Sequence, residues 1–208
     1  MMTYTCVPAG MLESNCYILN DGGALALVDC GVFTRSVRET VAEQGGDLRC
    51  ILLTHGHFDH IQGVASAKAA YPDTQVCIGE ADAACLTGES DIGPSHLRQK
   101  NPIAVDLLLR DGDVIPLGES RLRVIFTPGH TRGGVCYLAE AERLLFTGDT
   151  LFREEVGRDD LSGGDWFALQ ASVRRLYEIP GNCEVLPGHG EASTLEHERR
   201  HNPYIKMQ

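Results

Sequence analysis

Four apolar runs in this 208-residue chain end in a turn of small residues that carries a histidine or an aspartate. CILLT (50–54) leads into His55-Gly56-His57-Phe58-Asp59-His60, and RLRVIF (121–126) into Thr127-Pro128-Gly129-His130-Thr131. RLLF (143–146) leads into Thr147-Gly148-Asp149-Thr150, and CEVL (183–186) into Pro187-Gly188-His189-Gly190. Short apolar runs of this kind are read as strands covered on both faces. Polar residues at the carboxyl ends of such strands are where α/β proteins place their sites. A single Pro-Gly-His turn is a weak signal, but four such strand ends in one chain are a strong one.

The rest of the chain agrees with a layered α/β domain. TYTCV (3–7), NCYIL (15–19) and ALALVDC (24–30) read as strands, the last two joined by the turn Asn20-Asp21-Gly22-Gly23. Thr34 caps a helix with Val37 and Val41 on one face, stopped by Gly45-Gly46. Ile61, Val64, Ala65 and Ala69 predict a second helix that ends at Tyr71-Pro72, and TQVCIG (74–79) a strand followed by a short helix around Ala81–Leu86. DVIPL (113–117) and GVCYLA (134–139) are further strands. Trp166 to Ile179 is the clearest amphipathic helix, and Thr194–His201 a terminal one. From Thr87 to Val105 no period emerges, which predicts a long loop or lid. At about 150 residues per domain, one domain over 1–208 is expected, mixing strands and helices throughout.

Composition narrows the function. Acidic residues outnumber basic ones 29 to 18, a formal charge of −11, whereas nucleic acid and anionic membranes call for a basic footprint. No apolar run reaches the ~20 residues of a membrane span, and the opening MMTYTCVPAG has no signal-peptide pattern. Eight cysteines without a CxxC pair, several in apolar runs, read as buried free thiols, which points to the cytoplasm.

The hexapeptide His55–His60 has the strongest chemistry. With 8 histidines in the chain, HxHxDH would arise by chance about once in a thousand such sequences. Residues two apart in extended chain point the same way, so His55 and His57 can grip one cation. Asp59 and His60, where the chain turns towards the next helix, can face a second. Imidazoles with a carboxylate suit zinc, iron or manganese better than calcium or magnesium. His130, Asp149 and His189 are the candidate ligands from elsewhere. His96, His197 and His201 read as surface residues, and Cys16, Cys30 and Cys136 as core.

Together THGHFDH (54–60), TPGHT (127–131), TGDTLF (147–152) with VGR (156–158), and PGHG (187–190) resemble the metallo-β-lactamase-fold hydrolases. The branch they resemble is that of glyoxalase II, the hydroxyacylglutathione hydrolases. The resemblance extends from SNCYIL (14–19), including Asn15 and Tyr17, to NPY (202–204). It implies an αββα four-layer sandwich and a binuclear centre: His55, His57 and His130 on one metal, Asp59, His60 and His189 on the other, Asp149 between them. The β-lactamases of the fold lack that bridging carboxylate, which disfavours antibiotic hydrolysis. The implied activity is cleavage of a small anionic thioester such as S-lactoylglutathione by a metal-bridging hydroxide. Two divalent ions, zinc first and iron or manganese as alternatives, are the implied cofactors, with Asp59 orienting the nucleophile and taking its proton.

Arg158 matches a basic position that binds the glutathione carboxylate in the family, and Arg153 is a second candidate anion contact. The family's tyrosine two residues further on is Asp160 here, and only 19 residues follow His189, so the helical C-terminal domain that adds contacts to glutathione has no counterpart. The rival on the same scaffold is a mononuclear iron persulfide dioxygenase, which keeps a similar HxHxDH; the ending PGHG, in place of its usual Pro-Ala-His-Asp-Tyr, favours the hydrolase. A metal-binding protein without catalysis is a third reading, and seven intact ligand positions argue against it.

Overall fold

The computed structural model describes residues 1–206 apart from 91, 93, 94, 98, 100 and 101. The first half of the chain makes one sheet. β1 (Thr3–Ala9), β2 (Ser14–Asp21) and β3 (Ala24–Val28) form an antiparallel meander; α1 (Arg35–Gln44) leads to β4 (Asp47–Leu52). Next come α2 (Phe58–Ile61), α3 (Val64–Ala70) and β5 (Gln75–Gly79), a 3₁₀ turn at Glu80–Asp82, α4 (Ala84–Thr87) and β6 (Leu107–Leu109). β3 to β6 pair in parallel, and the order is β1-β2-β3-β4-β5-β6.

The second half makes the other sheet. It contains β7 (Val114–Leu117), β8 (Ser120–Phe126), β9 (Val135–Ala139) and β10 (Leu144–Gly148), then a two-stranded hairpin of β11 (Leu151–Phe152) and β12 (Glu155–Val156). α5 (Trp166–Tyr177), β13 (Glu184–Pro187), β14 (Ser193–Thr194) and α6 (Leu195–His201) complete it. The order is β14-β13-β10-β9-β8-β7, with β10 and β13 parallel.

Strand alternation sorts the side chains into three buried clusters. Ile18, Leu25, Leu27, Ile51 and Leu53 leave the first sheet on the side of Val37 and Val41 from α1 and Val64 and Ala67 from α3. Their neighbours Tyr17, Leu19, Ala26, Val28 and Leu52 point the other way, onto Leu122, Val124, Tyr137 and Phe146 of the second sheet. That sheet's outer side chains, among them Ile125, Cys136, Leu138 and Leu145, pack under Leu169, Val173 and Leu176 of α5 and Leu195 of α6. Helices, sheet, sheet, helices: the αββα sandwich is the observed architecture.

The capping expectations hold in detail. Thr34 Oγ1 accepts from Val37 N at 3.3 Å, and Gly45 closes α1 in the left-handed conformation (φ 60°). Thr194 Oγ1 likewise accepts from His197 N at 3.1 Å at the start of α6. The helix expected from Ile61 begins earlier and is broken at Gln62-Gly63. Gly63 N donates to Cys30 O at 2.8 Å, and a Cβ at this position would lie 2.5 Å from Phe33 N, so close packing on the Cys30–Phe33 turn interrupts the helix. The expected lid over 87–105 falls partly outside the described residues. Its described part is tied down: Ile92 and Ile103 are buried, and Ile103 N donates to Leu86 O at 2.9 Å.

Hydrogen bonds join the sheets at one end. Val135 N donates to Thr54 O at 2.8 Å, Tyr137 Oη to Leu53 O at 2.6 Å, and Tyr17 Oη to Pro187 O at 2.7 Å. Every strand end with a candidate ligand opens onto this side.

Candidate metal centre

β4 ends at Leu52, and Thr54 turns the chain so that His55 to His60 follow in a buried loop running into α2. The second sheet brings His130 from the end of β8, Asp149 from the end of β10 and His189 from the end of β13. His55, His57 and His130 each offer a ring nitrogen within 4.8 Å of the others, as do Asp59, His60 and His189 one ligand atom apiece. His57 Nδ1 faces His130 Nε2 at 2.8 Å, and His60 Nε2 faces His189 Nε2 at 3.2 Å. Asp149 lies between the two groups: Oδ2 is 3.5 Å from His130 Nε2, and Oδ1 3.5 Å from His60 Nε2. Asp59 Oδ2 is 3.2 Å from His189 Nε2. All seven residues singled out in the sequence as ligands thus meet in one place.

The residues that aim these side chains were not among those candidates. Asp29, at the end of β3, accepts from Thr54 N at 2.8 Å and Thr54 Oγ1 at 2.7 Å, and faces His60 Nδ1 at 2.8 Å. A carboxylate on one ring nitrogen fixes the imidazole's orientation and leaves the other for a metal. Thr54 Oγ1 stands 3.0 Å from His55 Nδ1, Arg158 O 2.8 Å from His130 Nδ1, and Leu12 O 3.0 Å from His189 Nδ1. Asp82, fully buried, accepts from Gly56 N, Thr131 Oγ1 and Gly133 N at 2.7–2.9 Å, joining the His55–His60 loop to the His130 loop. Asn15 Nδ2 donates to Pro187 O at 2.9 Å and Gly190 O at 3.0 Å, clasping the turn that carries His189.

The donor chemistry fits a cation. Among the described residues His55 Nε2, His57 Nε2 and Asp149 Oδ1 are buried without a hydrogen-bond partner, as is Glu142 Oε2 away from the site; such a state is costly and calls for an explanation, which a cation would supply for the three at the site. A Cβ on Gly188 would lie 2.1 Å from Asp149 Oδ1 and 2.8 Å from His60 Cε1, so the turn must be glycine for these groups to close together. Charge differs between the two groups. Burial and the neighbouring imidazoles hold His55 well below the usual imidazole range and His57 at about 3, leaving both neutral as ligands must be. Burial pushes the Asp59 carboxyl up, but His189 and His60 outweigh it and hold it at about 2. Burial likewise opposes the charge on His60, and Asp149 and Asp29 overcome it, raising the imidazole to about 9.

The two arginines sit differently. Arg158 lies close enough to depress His57, and its exposed guanidinium is paired with Asp160 at 2.7 and 2.9 Å. Arg153 pairs with Glu191 at 2.6 Å and lines a cavity with Arg143, Ser193 and His197, none of which is a candidate ligand. His197 pairs with Glu154 at 2.8 Å, and His96 and His201 are exposed.

Residues 9–194 match the model of the Metallo-beta-lactamase superfamily. An uncharacterized protein of Mycobacterium leprae is 37% identical over 99% of both chains. Hydroxyacylglutathione hydrolase GloC of Haemophilus influenzae is 26% identical over 98% of both. Among solved structures, the BLEG-1 B3 metallo-β-lactamase superposes with a TM-score of 0.87 at 30% identity, covering 98% of this chain and 99% of that one. A protein solved in a di-iron-bound form gives 0.85 at 34% identity, over 97% and 100%. ETHE1 from Myxococcus xanthus gives 0.80 at 26%, over 97% of this chain and 83% of that one.

Proposed function

The chain belongs to the Metallo-beta-lactamase superfamily, and from that premise we propose that it is a binuclear metal-dependent hydrolase of small anionic thioesters, S-lactoylglutathione being the model substrate. The observation that carries this reading is the convergence of seven donors from four strand ends, three of whose buried atoms have no hydrogen-bond partner among the described residues. His55, His57 and His130 would hold one ion, Asp59, His60 and His189 the other, with Asp149 between. The donor set suits zinc, and iron or manganese as well; the relative solved with two irons supports a pair of ions rather than one.

Bound divalent cations supply a nucleophilic hydroxide near neutral pH and polarise the acyl carbonyl. The chain's residues do the rest. Asp59 stays ionised, is oriented by His189, and accepts the proton of the attacking water. As the water oxygen bonds to the acyl carbon, the C–S bond breaks and the thiol leaves as thiolate, a good leaving group because thiol pKa values lie near 8.5. No strong general acid is needed. Arg158 offers a guanidinium to a substrate anion that can displace Asp160. Seven of the eight cysteines are buried, which supports a reducing compartment such as the cytoplasm; no helix among the described residues is long and apolar enough to cross a membrane.

The test is metal content with turnover. Two ions per chain and hydrolysis of S-lactoylglutathione are expected. One iron per chain with oxygen uptake on glutathione persulfide would replace this reading by the dioxygenase.

A further inference from the structure

Of the two glutamates in α6, Glu196 is exposed and Glu198 fully buried. Burying a carboxyl group is costly unless donors surround it. Here three do. Oε2 accepts from Glu154 N at 2.9 Å and from Asn202 Nδ2 at 3.0 Å, and Oε1 accepts from Ser193 Oγ. Asn202, the first residue of the NPY stretch, is buried as well. Its Nδ2 also donates to Glu155 O at 3.1 Å, and its Oδ1 accepts from Tyr204 N at 3.0 Å. Together the two side chains grip Glu154 and Glu155 at the tip of the β11–β12 hairpin. Their own helix is anchored on α5: Arg199 Nε donates to Tyr177 O at 2.9 Å, and Tyr177 Oη to Glu198 O at 3.2 Å.

The hairpin depends on such a hold. Each strand has two residues, and a two-stranded hairpin by itself is marginal in water. Glu154 stands at φ 57°, a conformation that a residue with a side chain seldom adopts. The exposed pairs at the tip, Arg153 with Glu191 and His197 with Glu154, add little. What the hairpin borders is the metal centre. Asp149 precedes β11 by two residues, and the Phe152 ring lies 6.4 Å from that of His189. After β12, a Cβ on Gly157 would lie 1.9 Å from Asp149 O, and Arg158 O accepts from His130 Nδ1 at 2.8 Å. The three candidate ligands of the second sheet thus all stand against this one hairpin.

We propose that Glu198 and Asn202 are positioning residues of the metal centre. By fixing the tip of the β11–β12 hairpin they keep Arg158 O on His130 Nδ1, which turns His130 Nε2 towards the ion, and they keep Asp149 in register with it. A ring nitrogen held by a carbonyl fixes both the tautomer and the direction of the imidazole. The proposal rests on the metal-centre reading above and is independent of the thioester.

Glu198→Ala leaves Glu154 N, Asn202 Nδ2 and Ser193 Oγ without this acceptor. Glu198→Gln keeps an oxygen for the first two and turns its amide towards Ser193 Oγ, which can accept. In competition with a chromophoric chelator, the alanine variant is expected to hold zinc about tenfold more weakly, the low end for groups that orient metal ligands, and the glutamine variant to match wild type. In the metal-free protein, nitrogen-15 NMR is expected to show the His130 Nδ1 proton exchanging faster with water in the alanine variant and unchanged in the glutamine one. A purely structural role would lower the unfolding midpoint and leave both readouts of the folded protein unmoved, and that result overturns the proposal. Asn202→Ala frees Glu155 O while Glu198 keeps Glu154 N. It should move both readouts in the same direction, and decides the matter in the same way if Glu198→Ala does not fold. A wild type that holds fewer than two zinc ions, with the ring proton still released by Glu198→Ala, would leave the positioning role standing and overturn the binuclear reading instead.

Discussion

Asp82 is the residue whose removal asks most of this structure. It is fully buried, and its two oxygens take three hydrogen bonds: Gly133 N on Oδ1, Gly56 N and Thr131 Oγ1 on Oδ2. Asp82→Ala leaves two backbone N–H groups and a hydroxyl unpaired in the interior. At ~1–3 kcal/mol for each orphaned buried group, the loss is about 3–6 kcal/mol once some water enters the space. In a protein of this size that lowers Tm by about 6–24 °C. Asp82→Asn keeps the shape and one acceptor oxygen. With that oxygen at the Oδ2 position only Gly133 N is left facing an amide N–H, and the variant no longer buries a charge; its loss is about 1–2 kcal/mol.

Asp82 holds Gly56, which lies between His55 and His57, and the turn of His130, whereas His189 stands on a turn it does not touch, so metal affinity should fall more at the His55, His57 and His130 group than at Asp59, His60 and His189. Urea unfolding of metal-loaded and chelator-treated protein measures the first quantity, and competition with a chromophoric chelator the second. An alanine variant within about 1 kcal/mol of wild type, or equal loss of affinity at both groups, would refute the reasoning.

Three further outcomes are expected. Gly188→Ala places a methyl 2.1 Å from Asp149 Oδ1 and 2.8 Å from His60 Cε1, so the purified variant should hold fewer than two ions while keeping its circular dichroism; full metal content would count against the geometry. Asp160→Ala frees Arg158 from an exposed pair worth at most about 1 kcal/mol. KM for an anionic thioester should drop severalfold with kcat unchanged, the difference shrinking in high salt. His60, raised to about 9, stabilises the metal-free fold fully below about pH 6.5, the unfolded value, and that stabilisation is lost as pH rises through 9. Unfolding midpoints from pH 6 to 9.5 should therefore fall in chelator and stay flat with metal bound, where the cation supplies the positive charge.

Much of this molecule is legible in its sequence because its strands are buried on both faces. CILLT and VCYLA need no alternation to be recognised, since both sets of side chains are interior. β6, β11, β12 and β14 are three residues or fewer and leave no period to detect. The candidate ligands are readable for a different reason: histidines two and five positions apart are rare by chance, and each distant partner stands at a strand end. Asp29 and Asp82 had no such mark. Their roles depend on groups 25 to 51 residues away in the chain, and in VDCG or EADAAC an aspartate looks like any other polar residue. The break at Gly63 was hidden likewise, being imposed by contact with Cys30 and Phe33 rather than by local propensity.

The division of the chain has one more consequence. The first sheet uses only residues before 110 and the second only residues after 113, so each half of the sequence builds its own half of the sandwich. His55, His57, Asp59 and His60 belong to one half and His130, Asp149 and His189 to the other. Neither half has the whole of either proposed ligand group, although Asp29, His55 and His60 also stand close together in the first. If the proposed pair of ions is held, its retention reports that the two sheets have docked in register, because each ion would draw donors from both.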